Sequence, residues 1–522
     1  MQTQEIKKEE KKMSLIELFK SFPKTYWFAS IFELLERYAW YGLFAVFGLY
    51  LTNELGFSSV QRSSIQTIVT GILYFLPIIT GALADKIGYK RTLAIAYIIL
   101  MTGYFFLGEV TSYWAVFSVF LWVAIGAAMF KPVASAIVTK TTDERNSSFG
   151  FGLFYMMVNI GGFFGPLIVG ILRNKWGWDI VFISSSIAIL LNLIILMFFK
   201  EPDREKIEES ATETIKRSVL NIIEALKDIK LTMLLIIMIG FWLMFNQLFY
   251  TLPNFIDDWV DTRDVYKFIH SIWPYLADQM KNEAGGVNPE QLVNLDAFFI
   301  MVFQIAVSYI ILKWKPINAM MTGIFITILG IALSFYTNNS AYTVLGILIF
   351  ALGEMTSNPK FSDYIAQISP KGKEALYMGT YFLPIAAANF LTDIISGDLY
   401  QKKADKITLL FRYLKEKGID IVDVTSGKLV TYSEKGIQLL GDNKEILTDV
   451  KASIKRDEIM QQAAEKLHTT VADLQNTLWD TYHPGKIWLV MAGVGIATFL
   501  GLFIYNITIG KSAMKREREE GR

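Results

Sequence analysis

Apolar runs long enough to cross a bilayer recur along almost the whole chain. A helix that spans hydrocarbon needs about 20 mostly apolar residues, and it satisfies its own backbone polar groups, which lipid cannot do. Roughly twelve such runs lie near 26–52, 63–84, 92–108, 114–137, 149–172, 178–199, 231–252, 296–313, 317–336, 342–367, 375–399 and 486–509. They predict an all-α membrane protein. The composition agrees: 53% of the 522 residues are hydrophobic and 19% charged, against about a quarter charged in soluble chains. The first run does not read as a signal peptide, being too long, preceded by a hydrophilic lead and without a cleavage-type ending. The absence of cysteine excludes a disulfide scaffold, a thiolate metal site and a thiol nucleophile. With 50 basic and 49 acidic residues, nucleic acid is not the expected partner.

Lys and Arg alternate between the connections. Lys7, Lys8, Lys11, Lys12, Lys20 and Lys24 precede the first run. Lys86, Lys90 and Arg91 follow the second. Lys200, Arg204, Lys206, Lys216, Arg217, Lys227 and Lys230 follow the sixth, and Lys511, Lys515, Arg516, Arg518 and Arg522 follow the last. Connections 109–113 and 337–341 carry none. This bias places both termini in the cytoplasm. Twelve spans suggest two six-helix halves. The expected organisation is a tail at 1–25, an N-terminal bundle at 26–199, a linker at 200–230, spans seven to eleven at 231–399 with an outer insert at 253–295, a second insert at 400–485, the twelfth span at 486–509 and a tail at 510–522. In the second insert, 406–418 reads as a helix ended by Gly418, 419–432 as two short strands around Thr425, Ser426 and Gly427, and 446–478 as helical. This small α+β unit has too little core to stand alone and should lean on the membrane part as a lid or spacer. A docking role for a partner is the other reading.

Ionisable residues inside spans are costly and mark function. In the first span Glu33 and Arg37 are four apart, so they share a helical face and can pair. Glu36 borders that face and Tyr41 lies one turn further. Two acids and one base leave a carboxylate unmatched, as proton coupling requires. Lys131 lies inside the fourth span before Pro132, and Glu354 in the middle of the tenth. Bases in the first half and an acid in the second suggest a dipolar cavity, attracting a carboxylate on one side and an ammonium on the other. If Glu33, Glu36, Glu354, Arg37 and Lys131 face one cavity, it is one proton short of neutrality. Asp296 and Asp393 lie nearer the outer ends. His270, His468 and His483 all fall in the inserts, so a relay would use carboxylates, Lys131 or tyrosines. No metal and no cofactor beyond the proton gradient is expected.

The segment Gly81-Ala82-Leu83-Ala84-Asp85-Lys86-Ile87-Gly88-Tyr89-Lys90-Arg91 resembles the cytoplasmic loop signature of the major facilitator superfamily. Narrower motifs resemble the proton-dependent oligopeptide transporter family within it. They are Glu33-x-x-Glu36-Arg37-Tyr38, Lys131-Pro132, Phe154-Tyr155-x-x-x-Asn159-x-Gly161, Phe241-Trp242-x-x-Phe245-x-Gln247, Asn288-Pro289-Glu290-Gln291, and Glu354 with Pro359. The resemblance covers the membrane part and almost nothing of the inserts. It implies proton-coupled symport of di- and tripeptides by alternating access, at a plasma membrane that is bacterial by likeness. It implies that Arg37 and Lys131 hold the peptide carboxylate and that Glu354 and Asn159 hold the amino end. Tyr38, Tyr41, Tyr74 and Tyr381 would line the cavity, Glu33 and Glu36 would join Arg37 and Lys131 in coupling, and Asp85, Arg91 and Asn246 would serve gating. Partners would be short peptides, protons and the bilayer.

The pattern is broken in places. An arginine common seven residues after the motif arginine reads Phe44, and an acid of the seventh helix reads Asn246. An asparagine at the start of the eighth helix reads Asp296, and an eleventh-helix tryptophan reads Tyr381. The two helices often inserted between the halves are missing, because 200–230 is too short and too polar. Transport of another small solute, such as a modified peptide, an amino-acid conjugate or an anion, is therefore the alternative on the same fold. A receptor or scaffold using 400–485 is the alternative of a different class. No nucleophile and base pair suggests an enzyme.

Overall fold

The computed structural model describes residues 14–510, except 56–58, 144, 283, 424–425, 434–435, 442–445, 448–455 and parts of 203–228 and 369–379. Outside the described residues lie Lys7, Lys8, Lys11, Lys12, Arg204, Lys206, Arg217, Thr425 and the basic cluster from Lys511 to Arg522.

Ten helices among the described residues are long and apolar enough to cross a membrane. An eleventh is a pair bent by 44° between Ile68–Phe75 and Ile79–Ile87. The bend lies at Pro77, which has no N–H to give to the preceding turn. Lys24–Leu49, which covers the first apolar run, falls outside that count. Glu33, Glu36 and Arg37 crowd charge into its middle, although at 26 residues it is amply long. The spans thus match the apolar runs, and the fold class is the expected one.

The chain forms two compact units. The first gathers Met1–Ala225, Ile300–Met320 and Met355–Phe382. It holds the first six spans with parts of the eighth, ninth and tenth. Within it, Gly88 ends the second span with φ 106°, a backbone that favours glycine. The Glu201 carboxylate accepts from the freed Tyr89 N–H at 2.7 Å, and the Lys90 ammonium donates to the carbonyls of Met197 and Phe199 at 3.1 and 2.8 Å. The end of the sixth span is thereby tied to the start of the third.

The second unit comprises Leu226–Phe299, Met321–Glu354 and Leu383–Arg522, and it contains both inserts. Four strands, β1 (Ile421–Val422), β2 (Leu429–Ser433), β3 (Gly436–Leu440) and β4 (Ile446–Leu447), pair antiparallel in that order. Ile421 faces Val430, Thr431 faces Gln438 and Leu440 faces Ile446. Helix Lys406–Lys417 ends at Gly418 in the left-handed region, as expected. The helical reading of 446–478 is corrected. Ile446 and Leu447 extend the sheet, and the helix is two, Arg456–Lys466 and Val471–Tyr482. They break at His468, which has φ 54°, and at Thr470, whose side chain caps the second helix by accepting from Asp473 N at 3.1 Å.

The second insert rests on the helix Leu252–Trp259 that continues the seventh span. The Trp259 indole donates to Ala404 O at 2.8 Å, and its ring lies 5.8 Å from that of Trp479. Arg456 donates to Asp258 Oδ1 at 3.0 Å and to Asp405 Oδ2 at 2.9 Å. The Tyr400 hydroxyl donates to Asp258 Oδ2 at 2.7 Å. Both carboxylates are buried, so Arg456→Ala strands two like charges together. The guanidinium is half-exposed, which places the expected loss at about 2 kcal/mol, below that of a fully buried pair. Faster proteolysis across 400–485 would show it; unchanged protease resistance would contradict it.

Candidate functional site

The first span places Glu33, Glu36 and Arg37 on consecutive turns, and all three are buried. Arg37 Nε donates to Glu36 Oε2 at 2.5 Å, and a guanidinium Nη contacts the same oxygen. Glu33 Oε1 stands 3.4 Å from Arg37 Nε. The four-residue spacing therefore does pair Glu33 with Arg37, but the neighbouring Glu36 is the closer partner. The Tyr41 ring lies 5.5 Å from the guanidinium carbon, within cation–π range.

Backbone contact with the fifth span holds this cluster. A Cβ on Gly161 would stand 2.6 Å from Leu34 O and 2.7 Å from Arg37 Cβ. One on Gly165 would stand 2.7 Å from Tyr38 O, and one on Gly42 2.8 Å from Val169 Cγ2. Gly161 and Gly165, four apart, form the small-residue seam by which membrane helices approach closely. Gly161→Ala meets rigid backbone and is expected to cost about 1–3 kcal/mol as overpacking. It would also push Arg37 off its carboxylates. A melting curve in detergent reads the first effect and ligand binding the second; a variant unchanged in both would contradict this packing.

Lys131, half-buried in the fourth span, makes no hydrogen bond or ion pair among the described residues. Its ammonium lies 5.0 Å from the Tyr74 ring centre and 5.8 Å from that of Phe382. The side chain thus sits in an aromatic setting with its donors uncommitted. Asn159 donates to Tyr155 O of its own helix at 3.0 Å. The Tyr381 hydroxyl donates to Asn358 Oδ1, and its ring lies 5.0 Å from that of Phe361. Tyr38 lines a separate, largely apolar groove of about 390 Å³ with Leu34, Leu35, Ile160, Phe164 and Ser184. Asp85 accepts from the Tyr89 hydroxyl at 2.9 Å, while Arg91 is exposed.

Three further residues of the first unit were not singled out from the sequence. Lys360 and Asp363 are buried in the tenth span, 3.9 Å apart. Ser147, at the start of the fifth span, donates to Asp363 Oδ1 at 2.5 Å. Nearby on the fifth span, Gly152 leaves room for Ser308 of the eighth, whose Oγ would stand 1.8 Å from an added Cβ. The available signal was the pair of charges three apart just after Pro359.

Glu354 and Asn246 belong to the second unit, and both are buried. Asn246 of the seventh span donates to Asn389 Oδ1 at 2.7 Å and to Thr392 Oγ1 at 3.0 Å, both on the eleventh. A neutral network occupies this position, and Phe44 in the first unit stacks on Trp40 at 5.5 Å. Asp296 is buried in the first turn of Leu295–Ile310, with Oδ1 unpartnered among the described residues.

The family model of the Major Facilitator Superfamily matches residues 29–391. The chain belongs to this superfamily. It is similar to the dipeptide and tripeptide permease A of Citrobacter koseri, 23% identical over 426 residues that make up 72% of this chain and 84% of the permease. A solved bacterial homologue of the human drug peptide transporters is 18% identical, with TM-score 0.57, over 94% of this chain and 98% of that one. A solved transporter of the proton-dependent oligopeptide family, in complex with 5-aminolevulinic acid, is 19% identical, with TM-score 0.56, over 76% of this chain and 96% of that one. These structures share the superfamily fold.

Proposed function

We propose that this superfamily member imports di- and tripeptides together with protons by alternating access. One observation carries the reading. A buried arginine shared by two carboxylates lies in the same unit as a half-buried lysine with uncommitted donors. Glu33 and Glu36 balance Arg37 and Lys131 charge for charge. A peptide carboxylate entering between the two bases adds one negative charge, which a low dielectric makes expensive. Taking up one proton on the carboxylate pair restores the balance and releases Arg37 toward the substrate. Carboxylate binding and proton binding then favour one another, and this reciprocity is the coupling. Because peptide termini are common to all short peptides, recognition of them gives broad specificity. The permease and transporters it resembles support the substrate class.

In the same reading, Ser147, Asp363 and the Gly152–Ser308 contact close the cytoplasmic side, and both termini are cytoplasmic. Asp363→Ala removes the acceptor, so the inner side should open more often. The chain has no native cysteine, so a single Ser148→Cys reports this opening. Its thiol should be labelled several-fold faster when Asp363 is replaced; equal labelling would contradict the closure.

The substrate class is tested by competition. Unlabelled di- and tripeptides should displace a labelled dipeptide, whereas free amino acids and simple carboxylates should not. Displacement by a simple organic anion alone would make this an anion transporter on the same fold.

A further inference from the structure

The first insert contains a helical hairpin with an exposed apolar edge. Helix Arg263–Ile272 sorts its residues sharply. At 100° per residue, Val265, Phe268, Ile269 and Ile272 fall on one face, and Arg263, Lys267, His270 and Ser271 on the other. None of its residues is buried. Phe268 is 66% exposed and Ile272 70%. The turn into the next helix, Pro274–Met280, adds exposed Trp273 and Tyr275. The hairpin is closed on its polar side, where the Tyr266 hydroxyl donates to Asp278 at 2.7 Å and Lys281 covers the Tyr266 ring at 5.3 Å. Its apolar edge therefore points away from its own stabilising contacts.

Both ends of this hairpin are pinned where spans emerge. Asp261 forms an isolated bridge with Asn339, in the turn joining the ninth span, Pro316–Tyr336, to the tenth, Ser340–Ile368. Thr262 exchanges hydrogen bonds at 2.9 Å with Val287, two residues before the helix that leads into the eighth span. Beside the Asn339 turn, Tyr336 and Tyr342 are 67% and 53% exposed. Below them on the same spans, Phe325, Leu329 and Leu345 continue an exposed apolar surface. Tyrosine and tryptophan at the ends of apolar belts mark the bilayer interface. The Asp261–Asn339 bridge ties the start of the hairpin, with its exposed aromatic residues, to that rim.

We propose that helix Arg263–Ile272 lies in the plane of the bilayer interface, with Phe268, Ile272, Trp273 and Tyr275 inserted among the lipids of the leaflet on the side of the inserts. An amphipathic helix with a broad apolar face and a charged back adopts this placement. Segment 260–288 carries three basic and four acidic residues, and Arg263 and Lys267 are already paired with Asp261 and Asp264. Attraction to anionic headgroups is therefore not the driving force, and zwitterionic lipid suffices. The helix would anchor the outer end of the seventh span to the leaflet beside the ninth and tenth.

The absence of native cysteine makes the test direct. Single cysteines at Phe268→Cys, Ile272→Cys, Lys267→Cys and Ser271→Cys, in the full chain, are spin-labelled and reconstituted in vesicles of phosphatidylcholine alone. Labels at 268 and 272 should collide several-fold more with oxygen, which partitions into lipid, than with a water-soluble nickel chelate. Labels at 267 and 271 should show the reverse. Nickel access equal at all four positions would place the helix in water and overturn the proposal. Labels at 268 and 272 shielded from both reagents, with dipolar broadening between copies, would overturn it in favour of a contact with a second copy.

Discussion

Lys131→Ala abolishes gradient-driven peptide accumulation and leaves the protein folded. Both halves of this result follow from the environment of the side chain. Its ammonium makes no direct ion pair among the described residues and lies against the faces of Tyr74 and Phe382. Truncation breaks no hydrogen bond or direct ion pair, and Arg37 still holds both carboxylates, so the melting temperature should move little. What is lost is a charged donor for the substrate carboxylate, worth about 1.5–3 kcal/mol, or roughly 10- to 100-fold in affinity. The balance of two acids against two bases is lost with it, so a gradient no longer drives accumulation. Lys131→Arg keeps the charge but delivers it as a planar fork, and it should restore only part of the uptake. Affinity and melting temperature measured on the same samples separate the two effects. A large drop in melting temperature would make Lys131 a packing residue; full accumulation by the alanine variant would remove it from the coupling.

Arg37→Ala has the opposite profile. Glu33 and Glu36 are buried and share this one guanidinium. Removing it leaves two carboxylates facing each other in a poor dielectric, at an expected cost of about 3–5 kcal/mol. Much of the protein should fail to fold or should melt far lower. The triple variant with Glu33→Gln and Glu36→Gln removes the stranded charges and should recover most of that stability without recovering transport. The recovery distinguishes a charge effect from simple loss of arginine packing. Equal stability of the single and triple variants would show that the carboxylates do not depend on Arg37.

The membrane architecture was largely legible because its cause is local. Length and apolarity alone decide whether a helix can span, and each run marked in the sequence corresponds to a helix or a helix pair. The first span was legible despite its charges, since the i,i+4 spacing of Glu33 and Arg37 signals a pair. The same spacing rule did not find the shorter contact from Arg37 to adjacent Glu36, which depends on side-chain rotamers. Gly161 stands in a recognised motif, but its contact with Leu34 O and the contact of Gly165 with Gly42 are tertiary facts. Lys360 and Asp363, three apart near the end of the tenth span, read in sequence as ordinary charges at a membrane boundary, and only the fold shows them buried. Ser147, the partner of Asp363, lies more than 200 residues away and is invisible to periodicity. In the second insert, Gly418 announced a helix end through its own backbone. Ile446 and Leu447 did not announce a strand, because two residues become a strand only by pairing with β3. Asn246 looked like a lost acid. In the structure it is a neutral hub between the seventh and eleventh spans.

The most direct test of coupled peptide transport is uptake of a labelled dipeptide into proteoliposomes, with and without an inward proton gradient. The account predicts accumulation above the external concentration only when the gradient is present, with simple equilibration when it is collapsed. Accumulation independent of the gradient, or no dipeptide entry by folded and inserted protein, would contradict it.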